Sequence, residues 1–139
     1  MKQRFQSVNT IIVDEGSMIG CSTLHNISKQ LCNAKHIAGK AFGGVDILFF
    51  GDFIQFPPVI DSPLYAAWKD APFISRKSQA EQRKVLGMEL WKKVYQVVLL
   101  DEQMRVNHKP YQDLLNRLRE GKCIDRDIEI LNKRNIGNF

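Results

Sequence analysis

With 139 residues, 44% hydrophobic and 25% charged, the chain is long enough for one domain with its own core. It holds no run near the roughly 20 apolar residues of a membrane span, no apolar stretch behind Lys2 and Arg4 of the kind a secretory signal needs, and three widely spaced cysteines that suit free thiols in a reducing compartment, cytosol or nucleus, better than a disulfide framework. The formal net charge of +5 weakly favours anionic partners such as nucleic acid or nucleotide phosphates.

Residues 1 to 10 are polar and aperiodic and read as a loop. A strand is expected over Val8 to Glu15, because the apolar run Ile11-Ile12-Val13 closes on the adjacent carboxylates Asp14 and Glu15. Such a run predicts a buried parallel strand delivering acidic oxygens to the rim of a sheet, where α/β proteins bind ligands. Paired carboxylates in a dry site need a positive occupant, and in a nucleotide site that is Mg²⁺ with its water shell. The first acid then holds the metal and the second orients or deprotonates a water. A solvated acidic turn is the ordinary alternative.

Ser17, Ser22 or Thr23 is expected to cap a helix of about four turns built on Leu24, Ile27, Leu31, Ala34 and Ala38 and stopped at Gly39. Cys21, His25, Cys32 and His36 repeat a CxxxH pattern. On one straight helix the two pairs lie about 16 Å apart, too far to converge on one Zn²⁺. Gly39-Lys40-Ala41 is not a phosphate-cradling P-loop, because the first Gly and the final Ser/Thr of GxxxxGK[ST] are missing and the segment follows a helix. No other stretch supplies that motif.

After the turn at Phe42-Gly43-Gly44, Val45 to Phe50 is expected to be a second strand, ending in Gly51-Asp52-Phe53-Ile54-Gln55-Phe56-Pro57-Pro58. If the two strands are parallel neighbours, Asp52 and Gln55 emerge beside Asp14 and Glu15. A Gln there can hydrogen-bond a terminal phosphate or its attacking water without adding negative charge. Pro57-Pro58 stiffens the exit loop. Ala80 to Lys93 reads as a helix presenting Val85, Leu86, Leu90 and Val94 to a core. Arg76, Lys77, Arg83, Lys84, Lys92 and Lys93 give this region a basic face that suits either solvent or a phosphate backbone. Phe53, Phe56, Tyr65 and Trp68 are candidates for base stacking, with core or loop packing the ordinary role of each.

A third strand is expected at Val97-Val98-Leu99-Leu100, leading into Asp101 to Arg105. An Arg just past a strand can stabilise charge on a transferring phosphoryl group, or it can pair with Asp101 or Glu102. A helix on Tyr111, Leu114, Leu115 and Leu118 stops at Gly121, and Asp125 is expected to cap a last helix, Asp127 to Lys133, that buries Ile128 and Leu131.

Taken together, Ile12-Val13-Asp14-Glu15-Gly16-Ser17-Met18, Phe42-Gly43-Gly44 leading into Gly51-Asp52-Phe53-Ile54-Gln55-Phe56-Pro57-Pro58-Val59, Leu100 to Arg105 and the helices of Leu115 to Arg134 resemble the Pif-type DNA helicases, relatives of RecD in superfamily one. The resemblance covers roughly residues 8 to 134. It implies an α/β fold: a RecA-like P-loop NTPase domain with a partial parallel sheet and flanking helices, its first strand and P-loop missing, so that residues 1–139 are part of the first motor domain and the second is absent. It further implies an ATP-driven helicase moving 5′ to 3′ on single-stranded DNA in replication, repair, recombination or telomere maintenance. ATP and Mg²⁺ are the implied cofactors, single-stranded DNA the partner, with no membrane, a monomeric state, and a nuclear location with mitochondrion or cytoplasm as alternatives. By motif, Asp14 looks like the acid holding Mg²⁺ through water, Glu15 like the residue activating the hydrolytic water, Gln55 with Asp52 like the γ-phosphate sensor, and Arg105 like the arginine finger. Gly16 stands where the family has an aliphatic residue, which predicts a looser strand end. Asp101 stands where a small hydroxyl residue is frequent. Without a P-loop the chain by itself is expected to be inactive, and a non-catalytic single-stranded DNA-binding remnant is the second reading.

Overall fold

The computed structural model describes residues 5–66 and 78–134; Trp68, Pro72, Ser75, Arg76 and Lys77, to which the sequence assigned roles, lie outside these ranges. Two compact units divide the chain, Met1–Val97 and Val98–Phe139.

The first unit is built on β1 (Thr10–Val13), α1 (Cys21–Lys35), β2 (Asp46–Phe49) and α2 (Gln79–Trp91), with short 3-10 turns at Gly16–Met18 and Ala41–Gly44. Strands β1 and β2 pair in parallel, with Ile11 opposite Ile47, Ile12 opposite Leu48 and Val13 opposite Phe49. Both strands are shorter than the apolar runs suggested. Only one face is covered: Phe49 packs on the core, whereas Ile12 is 68% and Leu48 43% exposed. The expectation of strands buried on both faces is therefore corrected, because among the described residues helices cover the Phe49 face alone.

Cys21, Leu24, Leu64 and Met88 form the core cluster, with Ile19, Phe42, Phe49, Leu90 and Trp91 packed around it. Helix α1 buries Cys21, Leu24, Ser28 and Leu31, the three- and four-residue spacing expected of an amphipathic helix. It ends a turn earlier than the periodicity suggested, at His36, whose left-handed φ of 55° closes it. Gly43 comes so close to α1 that a Cβ would lie 2.9 Å from the Leu31 carbonyl oxygen, and its φ of +64° is one that glycine adopts freely. The amide of the neighbouring Phe42 donates to Ser28 Oγ at 2.9 Å. These contacts set where β2 begins. Helix α2 starts with a capping box, Ser78 and Glu81 satisfying each other's amides. Val85 and Met88 face inward as a helix period demands, while Leu86 and Val94, expected in the core, are each 39% exposed.

The second unit contains α3 (Lys109–Arg119) and α4 (Asp125–Asn132). Gly121, at φ +67°, terminates α3 with Lys122 N donating back to the Arg117 carbonyl at 2.8 Å. Three expectations fail over residues 97 to 134. Val97 to Leu100 form no strand among the described residues and remain 73 to 87% exposed; an apolar run becomes a strand only where a neighbouring backbone offers it a ladder. Asp125 is the first residue of α4 rather than its cap. Asp127 instead turns back, accepting from Ile124 N at 3.1 Å and from Arg117 Nε and the guanidinium's terminal nitrogen at 2.7 and 2.6 Å. That bidentate grip makes Asp127 the buried residue of α4, at 1% exposure, while Ile128 and Leu131, expected in the core, are 50% and 37% exposed.

Candidate functional site

The carboxyl ends of β1 and β2 meet. Phe50 N donates to the Val13 carbonyl at 2.8 Å, and Gly16 N returns a bond of 2.7 Å to the Phe50 carbonyl. The contact is tight because both segments offer glycine there: a Cβ on Gly51 would lie 2.9 Å from Gly16 N, and one on Gly16 would lie 3.2 Å from the Phe50 oxygen. The looser strand end expected at Gly16 is thus corrected, since a residue without a side chain admits a closer approach. Ser17, which follows, is buried, and its hydroxyl has no hydrogen-bond partner among the described residues.

Between these contacts the chain turns sharply. Glu15 adopts left-handed dihedrals, φ 52° and ψ 42°, a conformation that disfavours a non-glycine residue by about 1–2 kcal/mol. Local bonds hold it: its amide donates to Asp14 Oδ1 at 2.9 Å and its carbonyl accepts from Met18 N at 3.0 Å. The turn leaves Asp14 and Glu15 exposed at the strand rim.

Directly across, Asp52 shapes the loop after β2. Its Oδ1 accepts from Ile54 N at 3.0 Å, its Oδ2 from Gln55 Nε2 at 3.3 Å, and its carbonyl from Gln55 N at 2.9 Å, a turn of the kind Asp side chains stabilise by mimicking the backbone. Gln55 is exposed. Phe53 packs edge-on against Tyr65 and Trp91, with ring centroids 5.7 and 5.5 Å away, whereas Phe56 projects, 75% exposed.

The far end of this loop is fastened by a residue the sequence did not single out. Asp61 Oδ2 accepts from Thr23 N at 2.9 Å and from Thr23 Oγ1 at 3.3 Å, doing for α1 what its own N-cap, Gly20, cannot. Burial pushes the Asp61 carboxyl up, but hydrogen bonds from Thr23, Ser22 and Ser62 outweigh this and hold its pKa below the ordinary value. Cys21 N donates to the Ser62 carbonyl at 2.9 Å, and Gly20 bridges Pro63. None of Ser17, Ser22 and Thr23 caps the helix by side chain, contrary to expectation. The cap comes from 38 residues further along the chain, beyond the reach of any local pattern.

Arg105 belongs to the second unit, in a segment without regular structure. Its amide donates to Gln103 Oε1 at 2.9 Å, and among the described residues its guanidinium forms no ion pair with Asp101 or Glu102. The structure therefore gathers Asp14, Glu15, Asp52 and Gln55 in the first unit and places Arg105 outside it. On the helical side of the first unit, His25, Lys29 and Arg83 lie close enough for the two cations to add to burial in lowering the imidazole's pKa, while Lys92 is paired with Glu89 at 2.9 Å.

A βαβ core with acids after one strand and a Gly-Asp-Phe-Ile-Gln turn after its parallel neighbour defines a partial α/β domain of the RecA-like kind. The solved Pif1 helicase of Bacteroides in complex with ADP-AlF3 and single-stranded DNA shares the fold at a TM-score of 0.67 with 20% identity, over 99% of this chain and 31% of that one. The Candida albicans Pif1 helicase gives 0.66 with 22% identity, over 98% and 27%. In sequence, the ATP-dependent DNA helicase Pif1 of Bdellovibrio bacteriovorus is 29% identical over 133 residues, 96% of this chain and 26% of its own length. The human ATP-dependent DNA helicase PIF1 is 25% identical over 126 residues, 90% and 17%. The chain spans about a quarter or less of these two relatives. The PIF1-like helicase family model matches residues 1–129, and the chain belongs to that family.

Proposed function

We propose that residues 1–139 serve as part of the first motor domain of an ATP-dependent DNA helicase moving 5′ to 3′ on single-stranded DNA, in replication, repair, recombination or telomere maintenance. The observation that carries this is the Gly16–Phe50 junction, which sets the acid pair and the Gln55 turn on one rim of a parallel ladder. In this reading Asp14 would hold Mg²⁺ through water, Glu15 would take the proton of the attacking water, Gln55 would sense the γ-phosphate, and Arg105 would neutralise charge on the transferring phosphoryl group. The donor set fits a hard cation: Asp14 and Glu15 offer exposed carboxylate oxygens at the end of β1, and Mg²⁺ is bound through one or two carboxylates with waters and phosphates completing its shell. Mg²⁺ would supply charge neutralisation at the phosphates. Monomeric action and a nuclear location, with mitochondrion or cytoplasm as alternatives, complete the proposal.

The 139 residues contain no GxxxxGK[ST], so the purified chain is expected to hydrolyse no ATP with or without DNA. Substituted for the matching segment of the Bdellovibrio helicase, it should support DNA-stimulated hydrolysis that Glu15→Gln lowers on the order of 10²-fold. A chimera that hydrolyses ATP equally well with Glu15→Gln would sink the role given to the acid pair. The second reading, a DNA-binding remnant without catalysis, is favoured by the two cations Lys29 and Arg83, which lie close enough to His25 to lower its imidazole pKa. Salt-sensitive, nucleotide-independent binding of single strands by the chain alone supports it, and no binding at low salt removes it.

A further inference from the structure

We propose that Asp52 is a positioning residue that decides which way round the Gln55 side-chain amide faces, an inference that rests on the nucleotide-site reading above. A primary amide has two ends of similar shape and opposite polarity, one oxygen that accepts and one nitrogen that donates twice. An exposed glutamine presents either end at small difference in energy, so half of its encounters with a phosphate or a water have the wrong polarity. Asp52 removes that choice. Its Oδ2 lies 3.3 Å from the Gln55 amide; an amide oxygen at that distance from a carboxylate oxygen would be repelled, so the NH₂ group must face it. One N–H is committed to Asp52, leaving Oε1 as an acceptor and the second N–H as a donor. That pair suits a water that must give up a proton beside a phosphate oxygen that accepts one.

The same carboxylate fixes the backbone beneath. Oδ1 accepts from Ile54 N, and the Asp52 carbonyl accepts from Gln55 N. The loop's two feet are also fastened, at Gly16–Phe50 and at Thr23–Asp61, so the residue that orients the amide and the residue oriented stand on one fixed platform. An orienting role and a merely structural one separate cleanly in Asp52→Asn. The asparagine oxygen can still accept from Ile54 N and keep the turn, but its NH₂ now faces the NH₂ of Gln55 and turns that amide round or frees it.

The readout is the pair of Gln55 Nε2 proton resonances in the ¹⁵N-labelled chain, assigned by their disappearance in Gln55→Ala. In the unsubstituted chain the two protons should differ in shift more than in the urea-unfolded chain, and one should exchange with water more slowly than the other. In Asp52→Asn the difference should collapse to the unfolded value while the Ile54 and Gln55 backbone amides keep their positions. Two equally fast-exchanging protons in the unsubstituted chain would overturn the proposal without any variant. So would a pair unchanged by Asp52→Asn, or one that moves only together with the backbone amides. No nucleotide enters the measurement, so its failure leaves the helicase reading standing. Failure of the Glu15→Gln test in the chimera removes that reading and leaves the amide orientation intact.

Discussion

Glu15 carries a conformation that its side chain resists, at the position where the family's chemistry is expected. Strain of this kind persists where the surrounding contacts over-determine it, and here the Asp14 carboxylate and the Gly16–Phe50 bond do so. Glu15→Gly should therefore raise stability by about 1 kcal/mol, measured as a higher urea midpoint at unchanged slope; a lower midpoint would mean that no strain is stored there. A second residue-scale consequence concerns Asp127, whose carboxyl the Arg117 guanidinium, assisted by the Ile124 amide, holds down at about 2. A folded pKa below the unfolded value of about 3.9 gives stability that is fully present above pH 4 and is lost as pH falls toward 2. The helical signal of the second unit should melt across that window, and in Asp127→Asn the acid-dependent loss should vanish from an already weakened unit. These residues differ in how readable they were. Asp14, Glu15 and Gln55 stand at strand ends that hydropathy marks, whereas Asp127 looks like any first-turn acid until Arg117, one helix earlier, is brought beside it.

Helices α1 and α2 pack backbone to backbone at Gly87: a Cβ there would lie 1.7 Å from the Cys21 carbonyl oxygen. Since that atom is backbone, the helices must separate to admit a methyl group. Gly87→Ala should cost about 3 kcal/mol or more, read as a lower unfolding midpoint with Met88 and Cys21 exposed, even though alanine favours helix over glycine elsewhere. A stabilised Gly87→Ala would contradict the packing described. At this scale the periodic elements were legible, α1 through Leu24 and Leu31 and α3 through Leu114, because burial on a helix repeats on a fixed interval. Val97 to Leu100 misled for the complementary reason. Four apolar β-formers state that a segment suits a sheet, but only another backbone can supply its hydrogen bonds, and composition does not reveal whether one is there.

For the molecule as a whole, that run matters again. Four apolar side chains, each more than 70% exposed, form a surface prone to associate with copies of itself. Leu99→Lys combined with Val97→Lys should lower light scattering at high concentration and leave the helical circular dichroism unchanged; scattering that persists would place the sticky surface elsewhere. The three thiols differ more sharply. Cys123 is exposed, Cys32 is intermediate and donates to the Lys40 carbonyl, and Cys21 is fully buried, with burial and then the charge of Asp61 pushing its thiol above the usual range. Alkylation should accordingly proceed in three steps, Cys123 first and Cys21 last. Because Cys21 opens helix α1, touches Gly87 of α2 and is bonded to the segment that ends the Gln55 loop, its modification rate becomes an intrinsic clock for how often that whole assembly parts, readable by mass without attaching any label in advance.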